Sequence, residues 1–237
     1  MKLKKILQSL SPFEWALWLC SALVITASFF LGTERYPLTL VASLVGVSAL
    51  IFISKGNVIG QFLIIIFSLI YGFISWKFRY YGEMITYVCM SLPSSVAACV
   101  SWIKHPSNAG KSEVEISRMT PKKWAILSLG AIAVTVAFYF ILGYFGTENL
   151  PLSTLSVSTS FFASILLIMR SPFYAVAYAV NDLVLIGLWV FATIESVSYL
   201  PMVLCFTTFL INDGYGFWNW KRMQSRQETP KGLQDEP

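Results

Sequence analysis

Apolar residues recur along this chain in runs of about 20, separated by short polar breaks. A run of that length crosses a bilayer as a helix. Lipid offers the backbone no hydrogen-bond partner, so each run has to be helical. A closed β-barrel would instead read as short alternating segments, a pattern this sequence lacks. The runs predict eight spans, at 13–31, 37–54, 59–76, 84–103, 123–145, 152–169, 173–194 and 200–220. Residues 1–12 precede the first span, 104–122 form the longest inner loop, and 221–237 form a polar tail, disordered beyond Met223. Pro93 inside the fourth span predicts a kink, because proline removes a ladder hydrogen bond.

Composition agrees, with 56% hydrophobic and 12% charged residues. A soluble domain needs about twice that charge density. The net charge of +5 could suggest a nucleic-acid partner. The basic residues cluster in alternate loops, however, so the charge is read as topology, with the lipid bilayer as partner and no nucleic acid. With both termini inside, Lys2, Lys4, Lys5, Lys55, Lys104, Lys111, Arg118, Lys122, Lys123, Arg170, Lys221, Arg222, Arg226 and Lys231 lie on the cytoplasmic side. Only Arg35, Lys77 and Arg79 lie outside. So strong a bias predicts cytoplasmic termini. The N-terminal lysines and first apolar run imitate a signal peptide, yet no small-residue cleavage site follows.

The two halves of the sequence resemble each other. Gly32-Thr33-Glu34 with Pro37-Leu38 recurs as Gly146-Thr147-Glu148 with Pro151-Leu152. Trp76 matches Trp189, and Tyr81, Met84, Trp102 and Lys104 match Tyr199, Met202, Trp220 and Arg222. Four spans per half is an even number, so the halves enter the membrane in the same direction. Parallel repeats of this kind form one known plan for transporters, with the substrate between the halves. The alternative is a duplicated structural bundle.

Polar side chains inside membrane helices are expensive and point to function by default. Span seven carries Tyr178, Asn181, Asp182 and Trp189, of which Tyr178, Asp182 and Trp189 share a helical face. Span eight carries Thr208, Asn212, Asp213, Tyr215, Trp218 and Asn219, with Thr208, Asn212, Tyr215 and Asn219 in one stripe. The first half offers smaller residues at the matching places, Ser68 and Leu69, then Ser94, Ser95 and Ala97. Gln61 opens span three and faces either a central passage or the membrane interface. Interhelical glue is the other reading of the asparagines, and an interfacial belt is the reading for Trp76, Trp102 and Trp220. Asparagine, carboxylate and aromatic groups together suit a flat, polar, cationic ligand.

Other chemistries find little support. No phosphate-binding loop, nucleophile elbow or zinc-protease motif is present, so an enzyme and a bound cofactor are not expected. The single histidine, His105, sits in a loop, which leaves no histidine-based metal site. Cys20, Cys89, Cys99 and Cys205 lie inside apolar runs and are read as packing residues.

Three segments carry a resemblance. They are Arg170–Tyr174, Ala177–Asp182, and the ending Ile211-Asn212-Asp213-Gly214-Tyr215-Gly216-Phe217-Trp218-Asn219-Trp220. With Tyr81–Met84, they resemble the PnuC family of nicotinamide riboside transporters over roughly residues 32–223. The resemblance implies a SWEET-like core of two parallel three-helix bundles, 37–103 and 152–220, joined by a linking helix at 123–145. Span one would then be an additional N-terminal helix. It implies import of nicotinamide riboside by facilitated diffusion through a bacterial inner membrane, with a separate cytoplasmic kinase trapping the vitamin. It also implies that Asn181, Asn212, Tyr215 and Asn219 touch substrate. Related groups carry thiamine or riboflavin, and those are the alternative substrates. Family members often place W-x-x-W where this chain has Tyr174 and Ala177. So small a bundle suits a homo-oligomer.

Overall fold

The computed structural model describes residues 10–31, 36–77, 84–107, 113–147, 149–195, 197 and 200–228. Eight helices lie within them. They are α1 (Pro12–Leu31), α2 (Pro37–Ser54), α3 (Ile59–Lys77), α4 (Thr86–Lys104), α5 (Pro121–Tyr144), α6 (Leu150–Ile168), α7 (Phe173–Glu195) and α8 (Leu200–Glu228). The helices from α1 to α7 are long and apolar enough to cross a membrane. In α8 the apolar run is diluted by Asn212, Asp213 and the polar turns that follow. Prolines open α2, α5 and α6, where a missing N–H costs nothing and φ is already helical.

Predicted and observed boundaries agree to within two residues except at the chain's end. There the expected disorder beyond Met223 is wrong as far as Glu228. The helix runs on because Arg226, Gln227 and Glu228 each find a partner in the segment between the halves. At Pro93 the chain widens rather than simply kinking: Thr86–Ser91 is a π-helical turn, with Leu92 N–H donating to the Tyr87 carbonyl. The remaining matches made from sequence at Gly32–Glu34, Tyr81–Glu83 and Tyr199, with residues 1–9 and 229–237, lie outside the described residues.

Six helices close on one another. α2 packs on α3, α3 on α4, α4 on α6, α6 on α7, α7 on α8, and α8 returns to α2. The two three-helix units, α2–α4 and α6–α8, thus meet at two seams, α4–α6 and α8–α2. Outside this ring, α1 lies on α8 and α2, while α5 lies on α6. The outer surface is apolar, with Leu129, Ile132 and Phe140 of α5 exposed, as lipid contact requires.

The two seams are built alike. At one, Trp102 Nε1 donates to the Leu167 carbonyl at 3.1 Å and Ser101 Oγ to the Ile168 carbonyl at 2.9 Å. At the other, Trp220 Nε1 donates to the Ile53 carbonyl at 2.9 Å and Asn219 Nδ2 to the Ser54 carbonyl at 2.8 Å. Donors and acceptors are pairs related by the internal repeat. The last turns of α2 and α6 end alike as well, in left-handed residues Gly56 (φ 64°) and Arg170 (φ 59°). The interfacial belt expected of Trp102 and Trp220 is therefore wrong. Both are buried, with ring centroids 5.5 Å apart. Each indole N–H adds a second donor to a carbonyl in a helix's last turn and so finds the partner that lipid cannot supply. Trp76, at 60% exposure, lies on the outside.

Candidate functional site

A buried polar group lies where α6, α7 and α8 meet. On α7, Tyr174, Tyr178 and Asp182 follow i, i+4, i+8 spacing and so share one face. Tyr174 and Asp182 are buried. The Tyr178 hydroxyl shares a hydrogen bond with Ser164 Oγ of α6 at 3.0 Å. From α8, the buried Asp213 brings its carboxyl group against that of Asp182, next to both tyrosines. Asp182 Oδ2 has no hydrogen-bond partner among the described residues.

Among those residues, neither aspartate forms an ion pair. Two ionised carboxylates at about 4 Å would repel by about 4 kcal/mol at an effective interior dielectric of 20, so the pair does not carry two charges without a counter-charge. A cation seated between the carboxyl groups would replace that repulsion by attraction. The tyrosine hydroxyl groups near them add acceptor oxygens for the same charge.

Gly216 makes this approach of α7 and α8 feasible. A Cβ there would stand 3.0 Å from the Tyr174 hydroxyl and 3.7 Å from both Ala175 and Ser54. Tyr174 then reaches Trp220 at 4.7 Å between ring centroids, nearly edge to face. Asn181 faces α6, where its Oδ1 accepts from Thr159 Oγ1 at 2.8 Å and Ser160 Oγ at 3.0 Å.

The α8 stripe predicted from sequence is a real stripe, but it faces neighbouring helices. Thr208 Oγ1 donates to its own helix at the Leu204 carbonyl. Asn212 Nδ2 donates to Ser21 Oγ of α1 at 3.0 Å, and the Tyr215 hydroxyl to Glu14 Oε1 of α1 at 2.8 Å. Asn219 belongs to the α8–α2 seam. Trp218 is 56% exposed on the outer surface, with the Arg222 guanidinium 5.6 Å above its ring. Trp189, two turns beyond Asp182, is half-buried.

The first half contributes buried polar atoms of its own. Gln61 is fully buried, and neither amide atom has a hydrogen-bond partner among the described residues. Ser68 Oγ, on the same face of α3, shares both properties, as does Thr154 Oγ1 of α6 apart from slight exposure. Buried polar groups are nearly always satisfied, so such atoms mark places where a polar guest is worth most.

Five contributors were missed in the sequence. Tyr174 enters the sequence reading only within the resemblance, and Ser164, Thr159 and Ser160 are lost in the serine-rich α6. Glu14 was missed as well, although Ser11-x-x-Glu14 is a capping-box pattern. The box forms: Ser11 N–H donates to Glu14 Oε2 at 2.6 Å and Glu14 N–H to Ser11 Oγ at 3.2 Å.

One end of the ring is crossed by the segment between the halves. Val114 N–H donates to the Gly56 carbonyl and Ser117 N–H to the Arg170 carbonyl, two positions related by the repeat. Val114 is buried in the cluster that holds Trp102, Trp220 and Met223. From α8, Arg226 holds Glu113 by both oxygens, at 2.7 and 2.6 Å. Partial burial pulls the Arg170 guanidinium below its ordinary range, with Glu115 opposing the shift.

Comparison with known proteins gives a consistent picture. The family described as nicotinamide mononucleotide transporter matches residues 36–222, from the start of α2 into α8 and excluding α1. The nicotinamide riboside transporter PnuC of Neisseria mucosa is 26% identical over 215 residues, covering 89% of this chain and 82% of its own. PnuC of Haemophilus influenzae is 26% identical over 216 residues, covering 91% and 92%. The crystal structure of the vitamin B3 transporter PnuC superimposes with a TM-score of 0.78 at 23% identity, covering 92% of this chain and 94% of that one. That likeness establishes the fold.

Proposed function

Because this chain belongs to the nicotinamide mononucleotide transporter family, we propose that it carries nicotinamide riboside across a bacterial cell membrane. The observation that supports this most is the Asp182–Asp213 pair, buried beside Tyr174 and Tyr178 with no cation against it among the described residues. Nicotinamide riboside joins a flat pyridinium cation to a ribose. The cation suits two carboxyl groups and the tyrosine hydroxyl oxygens. The ribose hydroxyls suit Asn181 and the unpartnered polar atoms of Gln61, Ser68 and Thr154. The curated relatives, which are named for the same vitamin, add support.

In this reading the remaining candidates act at one remove. Asn212, Tyr215 and Asn219 hold α8 against α1 and α2, and Thr208 and Trp189 flank the site along their helices. Trp218 guards the outer surface. The basic-residue bias supports cytoplasmic termini, which puts the Val114 crossing at the cytoplasmic end. The two like seams, α4–α6 and α8–α2, are the places where the halves can part to expose the site. Passage is downhill, and a separate cytoplasmic kinase retains the vitamin by adding a phosphate that the carrier does not return.

Uptake of radiolabelled nicotinamide riboside into proteoliposomes tests the reading. Uptake is expected without ATP or a proton gradient, and Asp182→Asn should raise the half-saturating concentration about tenfold, or about 1.4 kcal/mol. Thiamine and riboflavin, offered in the same vesicles, should compete poorly. Robust uptake of either one, with none of nicotinamide riboside, would overturn the substrate assignment.

A further inference from the structure

Helix α1 lies outside the residues 36–222 that the family model matches and outside the ring, yet it is joined to α8 by polar bonds. Glu14 is 2% exposed. Its carboxylate accepts from Tyr215 Oη at 2.8 Å and from Lys55 Nζ at 2.9 and 2.8 Å, in addition to the Ser11 N–H. One face further along α1, Ser21 accepts from Asn212. Burying a carboxylate here is expensive, and apolar side chains would hold two membrane helices together without that cost.

What the polar bonds add is rotation. Glu14 and Ser21 are seven residues apart and share a face of α1, while Asn212 and Tyr215 are three apart and share a face of α8. Asp213 lies between them in sequence, turned about 100° per residue from its neighbours. With Asn212 and Tyr215 tied outward to α1, Asp213 is directed toward α7 and meets Asp182. Beside these bonds the two helices line a groove of about 390 Å³ with Phe13, Leu17, Ile211, Tyr215 and Trp218. Such an apolar surface resists rotation weakly, because one apolar neighbour replaces another at little cost.

We propose that Glu14, assisted by Ser21, is a positioning residue: it sets the rotation of α8 and so keeps Asp213 opposite Asp182. The proposal rests on the Asp182–Asp213 pair being the substrate site. α1 is then a part of the transport machinery that never touches the vitamin.

The test uses the full chain in proteoliposomes, with two readouts. For nicotinamide riboside uptake, Glu14→Ala should raise KM about tenfold with the maximal rate nearly unchanged, the signature of lost ground-state positioning. Glu14→Gln, which keeps an acceptor for Tyr215, should restore most of the affinity. Tyr215→Phe combined with Glu14→Ala should be no worse than the poorer single variant, as expected for one shared interaction. The second readout needs no substrate. Cys205, on α8 near Asp182, is probed with N-ethylmaleimide after Cys20, Cys89 and Cys99 are changed to serine. It should react slowly in the parent and several-fold faster in Glu14→Ala. Ser21→Ala is the milder variant should Glu14→Ala not fold, with smaller changes in the same direction.

Unchanged KM and unchanged Cys205 reactivity would overturn the proposal, even if thermal stability fell, since α1 would then be packing alone. If the parent protein does not carry nicotinamide riboside at all, the substrate reading fails separately, and Cys205 still decides whether Glu14 sets the helix.

Discussion

Trp220 shows how one side chain serves both packing and bonding. Its indole N–H reaches the Ile53 carbonyl at 2.9 Å, and its ring fills the space between Tyr174 and Trp102. Trp220→Phe keeps most of the ring but loses that bond, while the Ile53 carbonyl still accepts from the Gly56 N–H, so the loss should be about 0.5–1.5 kcal/mol. Trp220→Ala also leaves a cavity and should cost about 3–5 kcal/mol. Thermal unfolding in detergent separates the two, and equal losses would mean that packing of the ring adds nothing beyond the hydrogen bond. Trp76 sits at a helix end in the same way and matches no such need, being exposed. Sequence treats these tryptophans alike because each ends an apolar run. The difference between them is a partner carbonyl on another helix.

At the scale of elements, α2 and α3 meet through a glycine. A Cβ at Gly60 would stand 2.6 Å from Ile53 Cγ1, 2.7 Å from Ile53 N and 2.9 Å from the Ala49 carbonyl oxygen. Two of those three atoms are backbone and cannot swing aside. Gly60→Ala should therefore push the helices apart and cost about 1–3 kcal/mol. Gly187, with nothing within 4 Å of its built Cβ, provides the control. Gly187→Ala should gain up to about 1 kcal/mol from helix propensity. A denaturation midpoint that rose equally for both would show that propensity, not helix contact, governs these sites. The eight helices themselves were legible in the sequence, since an apolar run of bilayer length has one way to satisfy its backbone. The continuation of α8 to Glu228 was not, because polar turns are held there by the crossing segment rather than by their own composition.

Across the whole molecule, the ring is tied at one end by chain segments distant in sequence. Glu113 is nearly buried, with 7% side-chain exposure, and depends on Arg226. Arg226→Ala leaves that carboxylate unpaired, which should cost about 3–5 kcal/mol. Arg118 and Glu228, at 74% and 40% exposure, form the contrasting surface pair. Arg118→Ala should barely move the unfolding midpoint, and a large shift would contradict the distinction. Arg118 holds the Glu228 carboxyl below its ordinary value of 4.5. Its small contribution is present above that pH and is lost as the pH falls through the depressed value. The pair is thus intact at neutral pH and fades only in acid.

The helical class, the span positions, the two-fold repeat and the polar character of α7 and α8 were all determined by the sequence alone. Each depends on local run length, on residue type or on spacing along one chain, and lipid leaves the backbone no other choice. Which way each helix faces was decided only by the tertiary structure. Asn212, Asp213 and Tyr215 are neighbours in one segment, yet the first and third turn to α1 while the second meets Asp182. Apolar residues surround all three in sequence, so hydropathy carries no signal of rotation. The partners that set it, Ser21 and Glu14, lie about 190–200 residues earlier in the chain.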